Sequence, residues 1–360
     1  MLFFFTMFKI PQIEKGSYYI DRAMDSMGEF ATKTREQIGE RFKNSPTCMQ
    51  KSNNENNLNK RKDLELEKIK FLNDRINTTL KKVTKRFPRF KRLDDIYIKL
   101  INTGEVKVRT IEDNIKRMQW ICNSIDELTQ NTEMKLKKTR SNDTCGFIMK
   151  KYLGKVNSYF RKEKHIFTEL EEARKFMNKM PEFQDLFTVS IAGFPNVGKS
   201  TLMKNITGCE VDIQPYPFTT KGLMFGYIEK KNVKQIQLID TPGLLNRDTK
   251  HNDIEQRARI IVNEYCDSIV FVLDFTESCG YNIKSQIKLL KQTRDSGKDM
   301  VLYLSKKDLF NEEIEELLEE NSSMLKKYKV FDNFEVLKEY IVQLKENTKK
   351  FDIRDIKVIK

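Results

Sequence analysis

Apolar positions recur at helical spacing through most of the first half of the chain. Ile69, Leu72, Ile76, Leu80 and Val83 lie three or four residues apart, as do Ile111, Ile115, Met118, Cys122 and Ile125. Residues spaced this way share one face of a helix, so each run predicts an amphipathic helix with its stripe turned inward. Leu153, Val156, Phe160, Phe167 and Leu170 form a third stripe. Thr110 with Asp113 predicts a capping box at the start of the second helix. The pattern predicts an all-α bundle over residues 1–180, with helices packed roughly antiparallel. Within it, residues 44–62 are rich in Asn, Lys and Ser and predict a flexible insertion.

After Pro181 the pattern changes. Phe187–Ala192 reads as a strand, and Ile236–Ile239, Ile269–Leu273 and Met300–Leu304 are short apolar runs, with helical stretches near 199–207, 253–264 and 282–296 between them. Apolar runs alternating with helices predict parallel strands buried on both faces. The expected fold is a three-layer α/β domain with a mostly parallel sheet over 185–346, followed by a short tail at 347–360. Its ligand belongs at the carboxyl ends of the strands.

The candidate chemistry sits at those ends. Gly193-Phe194-Pro195-Asn196-Val197-Gly198-Lys199-Ser200-Thr201 follows the first strand and opens a helix, as a P-loop must. The glycines let several backbone N–H groups point at one phosphate, and the helix start adds its positive dipole end. Lys199 would reach the β- and γ-phosphates and Ser200 would ligate Mg²⁺. Asn196, Val197, Gly198 and Thr201 complete the cradle. About 40 residues on, Asp240-Thr241-Pro242-Gly243 ends a strand. Asp240 there can hold Mg²⁺ through water, and Gly243 can offer its N–H to the γ-phosphate. Thr219-Thr220 lies between, and a hydroxyl there, with Thr220 preferred, would complete the Mg²⁺ shell only when the γ-phosphate is present.

Base selection points to Ser305-Lys306-Lys307-Asp308. A carboxylate accepts guanine N1–H and N2–H₂ together, and adenine offers no such pair, so Asp308 predicts GTP and GDP over ATP. Lys306 can lie along the ring. Ser305 stands where GTPases usually carry Asn or Thr. For the loop supporting the base from its other side Ser322-Ser323-Met324 is a candidate, but a plain helix end is the preferred reading of these residues. The position after Gly243, where many GTPases place a water-orienting glutamine, is Leu244, so slow intrinsic hydrolysis is expected. Lys199, Thr220 and Gly243 are the expected catalytic set.

Charge changes the picture of the first half. Residues 1–186 hold 39 Lys and Arg against 26 Asp and Glu, whereas residues 187–360 hold 27 against 26. The excess predicts a polyanionic partner for the bundle, most simply RNA. Lys81, Lys82, Lys85, Arg86, Arg89, Lys91 and Arg92 crowd around Phe87 and Phe90. The rings either stack on RNA bases or tuck into the bundle. The six cysteines show no C-x-x-C spacing, which argues against a zinc site and for a reducing compartment. The opening apolar run is too short to span a membrane and lacks the features of a signal peptide, with Met7 an alternative start.

With these elements placed, the chain resembles the Obg-related GTPases, and within them the nucleolar GTP-binding protein 1 family. The resemblance rests on the P-loop, on Val211-Asp212-Ile213-Gln214-Pro215-Tyr216-Pro217-Phe218-Thr219-Thr220-Lys221, on Asp240-Thr241-Pro242-Gly243-Leu244-Leu245, and on Asp274-Phe275-Thr276-Glu277-Ser278-Cys279-Gly280-Tyr281. It implies maturation of the large (60S) ribosomal subunit, with the pre-60S particle, rRNA and other assembly factors as partners and neither DNA nor a membrane. It also implies a short form without the C-terminal extension of eukaryotic members. The implied place is the nucleus and nucleolus, or the cytoplasm if the source is prokaryotic. Related GTPases use an asparagine at the position of Asn196 to help bind K⁺, which implies potassium-assisted hydrolysis here. A structural assembly protein that binds GTP without turning it over, and an ATPase, are the competing readings.

Overall fold

The computed structural model describes residues 7–44, 52–208, 212–214, 223–231, 233–240, 253–294 and 297–355, and it divides into two compact units. The first is helical and comprises 9–93 and 104–178. Its helices are α1 (Gly16–Lys43), α2 (Asn53–Thr84), then, past a short helix α3 (Asp95–Ile101) that lies outside this unit, α4 (Val108–Lys138), α5 (Asn142–Lys162) and α6 (Lys164–Met177). The stripe Ile69, Leu72, Ile76, Leu80 and Val83 is buried along α2, and Ile111, Met118, Cys122 and Ile125 are buried along α4, where Ile115 is half-buried. Each such aliphatic side chain removed from water contributes roughly 1.5–3 kcal/mol. Polar ties fix the packing. Asn73 and Asn77 both donate to Asp126 Oδ1, at 2.8 and 2.7 Å, and Asn114 donates to Glu169.

Four expectations for this half need correction. The third stripe divides between α5 and α6, which break at Glu163. The Thr110–Asp113 capping box is not formed, because α4 already begins at Val108 behind Lys107, with no side-chain cap. Residues 53–62 of the expected flexible insertion are the first turns of α2. Ser52 Oγ caps that helix by accepting the Glu55 N–H, and Arg61 pairs with the buried Glu65 at 3.0 Å. Residues 45–51 lie outside the described residues. Residues 94–103, expected in the bundle, belong to the second unit. Tyr97, buried there, donates to Pro181 O and accepts from the Phe183 N–H at 2.9 Å.

The second unit comprises 1–8, 94–103 and 179–360. Its strands β1 (Phe187–Ala192), β2 (Asp212–Gln214), β3 (Leu223–Lys230), β4 (Val233–Asp240), β5 (Ser268–Leu273), β6 (Asp299–Leu304) and β7 (Lys329–Phe331) form one sheet of order 2-3-4-1-5-6-7. β4, β1, β5, β6 and β7 run parallel, and β3 and β2 are added antiparallel at one edge. Alternate residues face opposite layers. Val189, Ile191, Val270 and Val272 join one core, and Ile269, Phe271, Leu273 and Leu302 join the other. Helices α7 (Lys199–Thr207) and α12 (Phe334–Asp355) contribute to the first layer. α9 (Ile283–Arg294) and α10 (Glu312–Glu320) contribute to the second. The tail expected at 347–360 starts inside α12, which continues to Asp355 because no Pro or Gly interrupts 334–355. Among the described residues no helix is long and apolar enough to cross a membrane.

Candidate nucleotide site

The P-loop is held open by backbone that only certain residues adopt. Gly193 has φ +144°, and a Cβ there would stand 2.7 Å from Val272 O, so only glycine lets the loop pass this close to β5. Gly198 has φ +99° and caps α7, whose first N–H groups face the loop. Asn196, exposed, also lies in the left-handed region at φ +62°. Val197 is fully buried and anchors the loop in the core, while Thr201 is exposed on the first turn of α7. Lys199 Nζ donates to Phe194 O at 2.9 Å, which draws the ammonium back across the loop.

Asp240, at the carboxyl end of β4, comes to this loop although 40 residues separate it from Ser200. Ser200 Oγ donates to its Oδ2 at 3.3 Å. Its Oδ1 is buried and has no hydrogen-bond partner among the described residues. Burial raises the carboxyl above the ordinary aspartate range, against the pull of Lys199 and the Ser200 hydroxyl. A buried acceptor with an unmet lone pair beside a hydroxyl is the hard oxygen donor set that suits Mg²⁺. Thr219, Thr220, Gly243 and Leu244 lie outside the described residues.

The loop expected to read the base, 305–308, joins the same end of the sheet. Ser305 is buried against the P-loop: a Cβ added at Gly198 would stand 3.6 Å from Ser305 Cβ. Its N–H and hydroxyl both donate to Leu273 O, at 2.9 and 3.1 Å, so the side chain ties β6 to β5. Lys306 has φ +56°, an uncommon conformation for a side chain of this size. Asp308 is exposed on the single turn Lys307–Leu309 that follows.

The hub that shapes this loop is Asp274, which the sequence reading quoted only as part of a family signature. It is fully buried, and it accepts from Lys306 Nζ at 2.7 Å, from Thr276 Oγ1 at 2.5 Å and from the Thr276 and Cys279 N–H groups at 3.0 Å each. Burial alone would raise this carboxyl, but the Lys306 and Thr276 hydrogen bonds outweigh it and hold it below the ordinary range. Gln286, also buried, accepts from the Asp274 N–H and donates to Asp274 O and Tyr281 O. The Tyr281 ring then packs on Phe194 of the P-loop, centroids 4.2 Å apart. An aspartate directly after the apolar run Ile269–Leu273 is the sequence signal that marks such a hub.

At Ser322-Ser323-Met324 the topology agrees with the plain helix end rather than with a base-supporting loop. These residues open a short helix (Ser322–Leu325) that precedes β7. Strand β7 is parallel to β6, so its carboxyl end, at Asp332 and Asn333, emerges beside the base loop, and Lys307 pairs with Asp332 there. A three-residue strand was too short to signal this from periodicity.

Two family models match the chain: a 50S ribosome-binding GTPase model over residues 188–306, and a NOG1 N-terminal helical domain model over residues 30–184. An uncharacterized protein of Methanocaldococcus jannaschii, MJ1408, is 35% identical over 252 residues, which cover 69% of this chain and 70% of that protein. The Nucleolar GTP-binding protein 1 of Caenorhabditis elegans is 29% identical over 67% of this chain and 36% of its own length. That of Saccharomyces cerevisiae is 27% identical over 78% of this chain and 43% of its own length. The chain thus spans less than half the length of these two eukaryotic relatives. Among solved structures, a Plasmodium falciparum protein described as a nucleolar GTP-binding protein 1 matches with a TM-score of 0.39 at 24% identity, covering 49% of this chain and 96% of that one.

Proposed function

This chain belongs to the nucleolar GTP-binding protein 1 family, and on that premise we propose that it is a slow GTPase of large-subunit (60S) ribosome assembly. In this reading its nucleotide state sets its grip on a precursor particle. The observation that carries the nucleotide chemistry is the Asp240 carboxylate, with Ser200 on one oxygen and no partner among the described residues on the other. Ser200, Asp240 and Thr220 would hold Mg²⁺, which supplies charge neutralisation for the β- and γ-phosphates. Lys199 and the Gly243 N–H would bind the γ-phosphate, and Leu244 offers nothing to orient water. In single-turnover hydrolysis the free protein should be slow, and pre-60S particles should raise the rate at least tenfold. No turnover in either condition would leave a GTP-bound structural factor.

The Asn196 position supports a potassium-assisted reaction. Turnover should be several-fold faster in KCl than in NaCl at equal ionic strength, and equal rates would remove K⁺ from the mechanism.

Coupling to the bundle is supported by Arg257, buried on α8 (Asp253–Ile260) after the Asp240 strand. Its Nε donates to Thr103 Oγ1 at 2.7 Å and its Nη2 to Thr103 O at 3.2 Å. Residues 94–103 are continuous with bundle residues on both sides. A γ-phosphate-dependent shift of α8 would therefore pull on chain that leads into the bundle.

For the RNA partner, the cations at 81–92 are exposed while Phe87 and Phe90 are buried. The rings belong to the core, so this surface offers phosphate contacts rather than base stacking. Replacing Arg86, Arg89, Lys91 and Arg92 with Ala should lower the slope of log K against log salt by about 3 for single-stranded rRNA. Anisotropy titrations between low and moderate salt measure it, and an unchanged slope would move the contact elsewhere. The eukaryotic relatives' name favours a nucleolar setting, and the archaeal relative keeps a cytoplasmic one as the alternative.

A further inference from the structure

The C-terminal part of α4 and residues 144–158 of α5 line an open groove of about 1010 Å³. Its floor is apolar: Leu128, Ile148 and Tyr152 line it, and Phe147 stands at its edge, 65% exposed. Four cations, Lys135, Lys138, Lys151 and Lys155, surround that floor, and none of the lining residues carries a carboxylate. Apolar surface rimmed by polar groups is where interaction sites tend to lie.

We propose that this groove is the docking site for an acidic amphipathic helix of a partner protein. Apolar side chains at positions i, i+3, i+4 and i+7 of such a helix would fill the floor, and its flanking carboxylates would meet the lysines. The space is adequate, since one helical turn with its side chains occupies roughly 500 Å³. RNA fits this groove less well, because phosphate and ribose would satisfy the lysines but leave Leu128 and Ile148 without apolar partners. The cations near Arg86–Arg92 show the contrast: there the rings are buried and only charge is presented. A second copy of the chain does not supply the helix through its own acidic segment Glu312–Glu320. That segment's apolar residues Ile314, Leu317 and Leu318 pack on its own core. The site stands apart from the nucleotide reading and does not depend on it.

Gly154 supplies the test. It lines the cavity, and a Cβ built on it meets nothing within 4 Å. A larger side chain there enters the groove without a clash, and a helix interior accepts leucine better than glycine. The probe is a fluorescein-labelled 18-residue peptide with leucines on one helical face and glutamates elsewhere, titrated into the full chain. The control is a scramble of the same composition. The expected result is micromolar binding at least tenfold tighter than the scramble. Gly154→Leu and the pair Lys151→Glu/Lys155→Glu should each weaken it at least tenfold, with thermal melts no lower than that of the unaltered chain. If Gly154→Leu fails to fold, Phe147→Glu, at an exposed position, replaces it. Equal binding of the scramble, or binding indifferent to these changes, overturns the proposal. So does displacement of the peptide by a U20 oligonucleotide whose own binding the same variants abolish, which would make the groove an RNA surface.

Discussion

Asp308→Asn should weaken GTP binding by about 100-fold, equivalent to roughly 2.7 kcal/mol, within the range for charge-assisted hydrogen bonds lost to a base. The carboxylate can accept guanine N1–H and N2–H₂ together. An asparagine in its place keeps one acceptor and turns an N–H toward the guanine amino group, which is a donor facing a donor. Xanthine carries a carbonyl at that position, so the variant should bind XTP more tightly than GTP. Competition against a fluorescent GTP analogue reads both changes. Unaltered GTP affinity would place base reading elsewhere, and tighter binding of ATP than GTP by the unaltered chain would overturn the guanine assignment altogether. The surroundings of the loop favour a specific effect. Asp308 is exposed on a single turn, so its replacement leaves the core closed.

Asp274→Ala should act on the same pocket from behind. The carboxylate is fully buried and gathers Lys306, Thr276 and the Cys279 N–H. Its removal leaves buried donors without an acceptor, at a cost of about 2–4 kcal/mol, because Lys306 can still turn to water. For a unit of this size that corresponds to a drop in Tm of roughly 5–12 °C. Lys306 would also lose the tether that accompanies its left-handed backbone, a conformation disfavoured by about 1–2 kcal/mol for a side-chain-bearing residue. The loop should relax and GTP affinity should fall at least tenfold. Asp274→Asn, which keeps one acceptor oxygen, should recover part of both losses. A change in Tm without a change in affinity would reduce Asp274 to a packing role.

The same carboxylate sets a pH dependence. Its folded value lies below the ordinary aspartate range, with the Lys306 and Thr276 hydrogen bonds overcoming burial. The stabilisation is therefore whole above that ordinary range and is lost as pH falls through the lowered value. Acid titration of the unaltered chain should show this loss, and Asp274→Ala should show less of it.

The sequence by itself was enough for the P-loop's place between a strand and a helix and for the central strands. A P-loop is a local device: its glycines, lysine and serine are adjacent in the chain, so spacing alone carries the mechanism. Strand β5 is buried throughout and is apolar from Ile269 on, and β1 and β6 are apolar over most of their length. The long helical stripes were equally legible, since the helical period reports which face avoids water. That period does not report what the face is buried against. Tyr97 and Thr103 find Pro181, Phe183 and Arg257 some 80 to 150 positions away, and only the folded chain could move residues 94–103 from the bundle to the nucleotide unit. Strand β3, second from the edge, escaped notice because it is interrupted by Gly226 and ends in Glu229 and Lys230. The first turns of α2 escaped because asparagine is a weak helix former, and its Ser52 cap and the buried Glu65 became visible only in three dimensions. The role of Asp274 was likewise a tertiary decision: one buried carboxylate collects donors from two loops because no water reaches it.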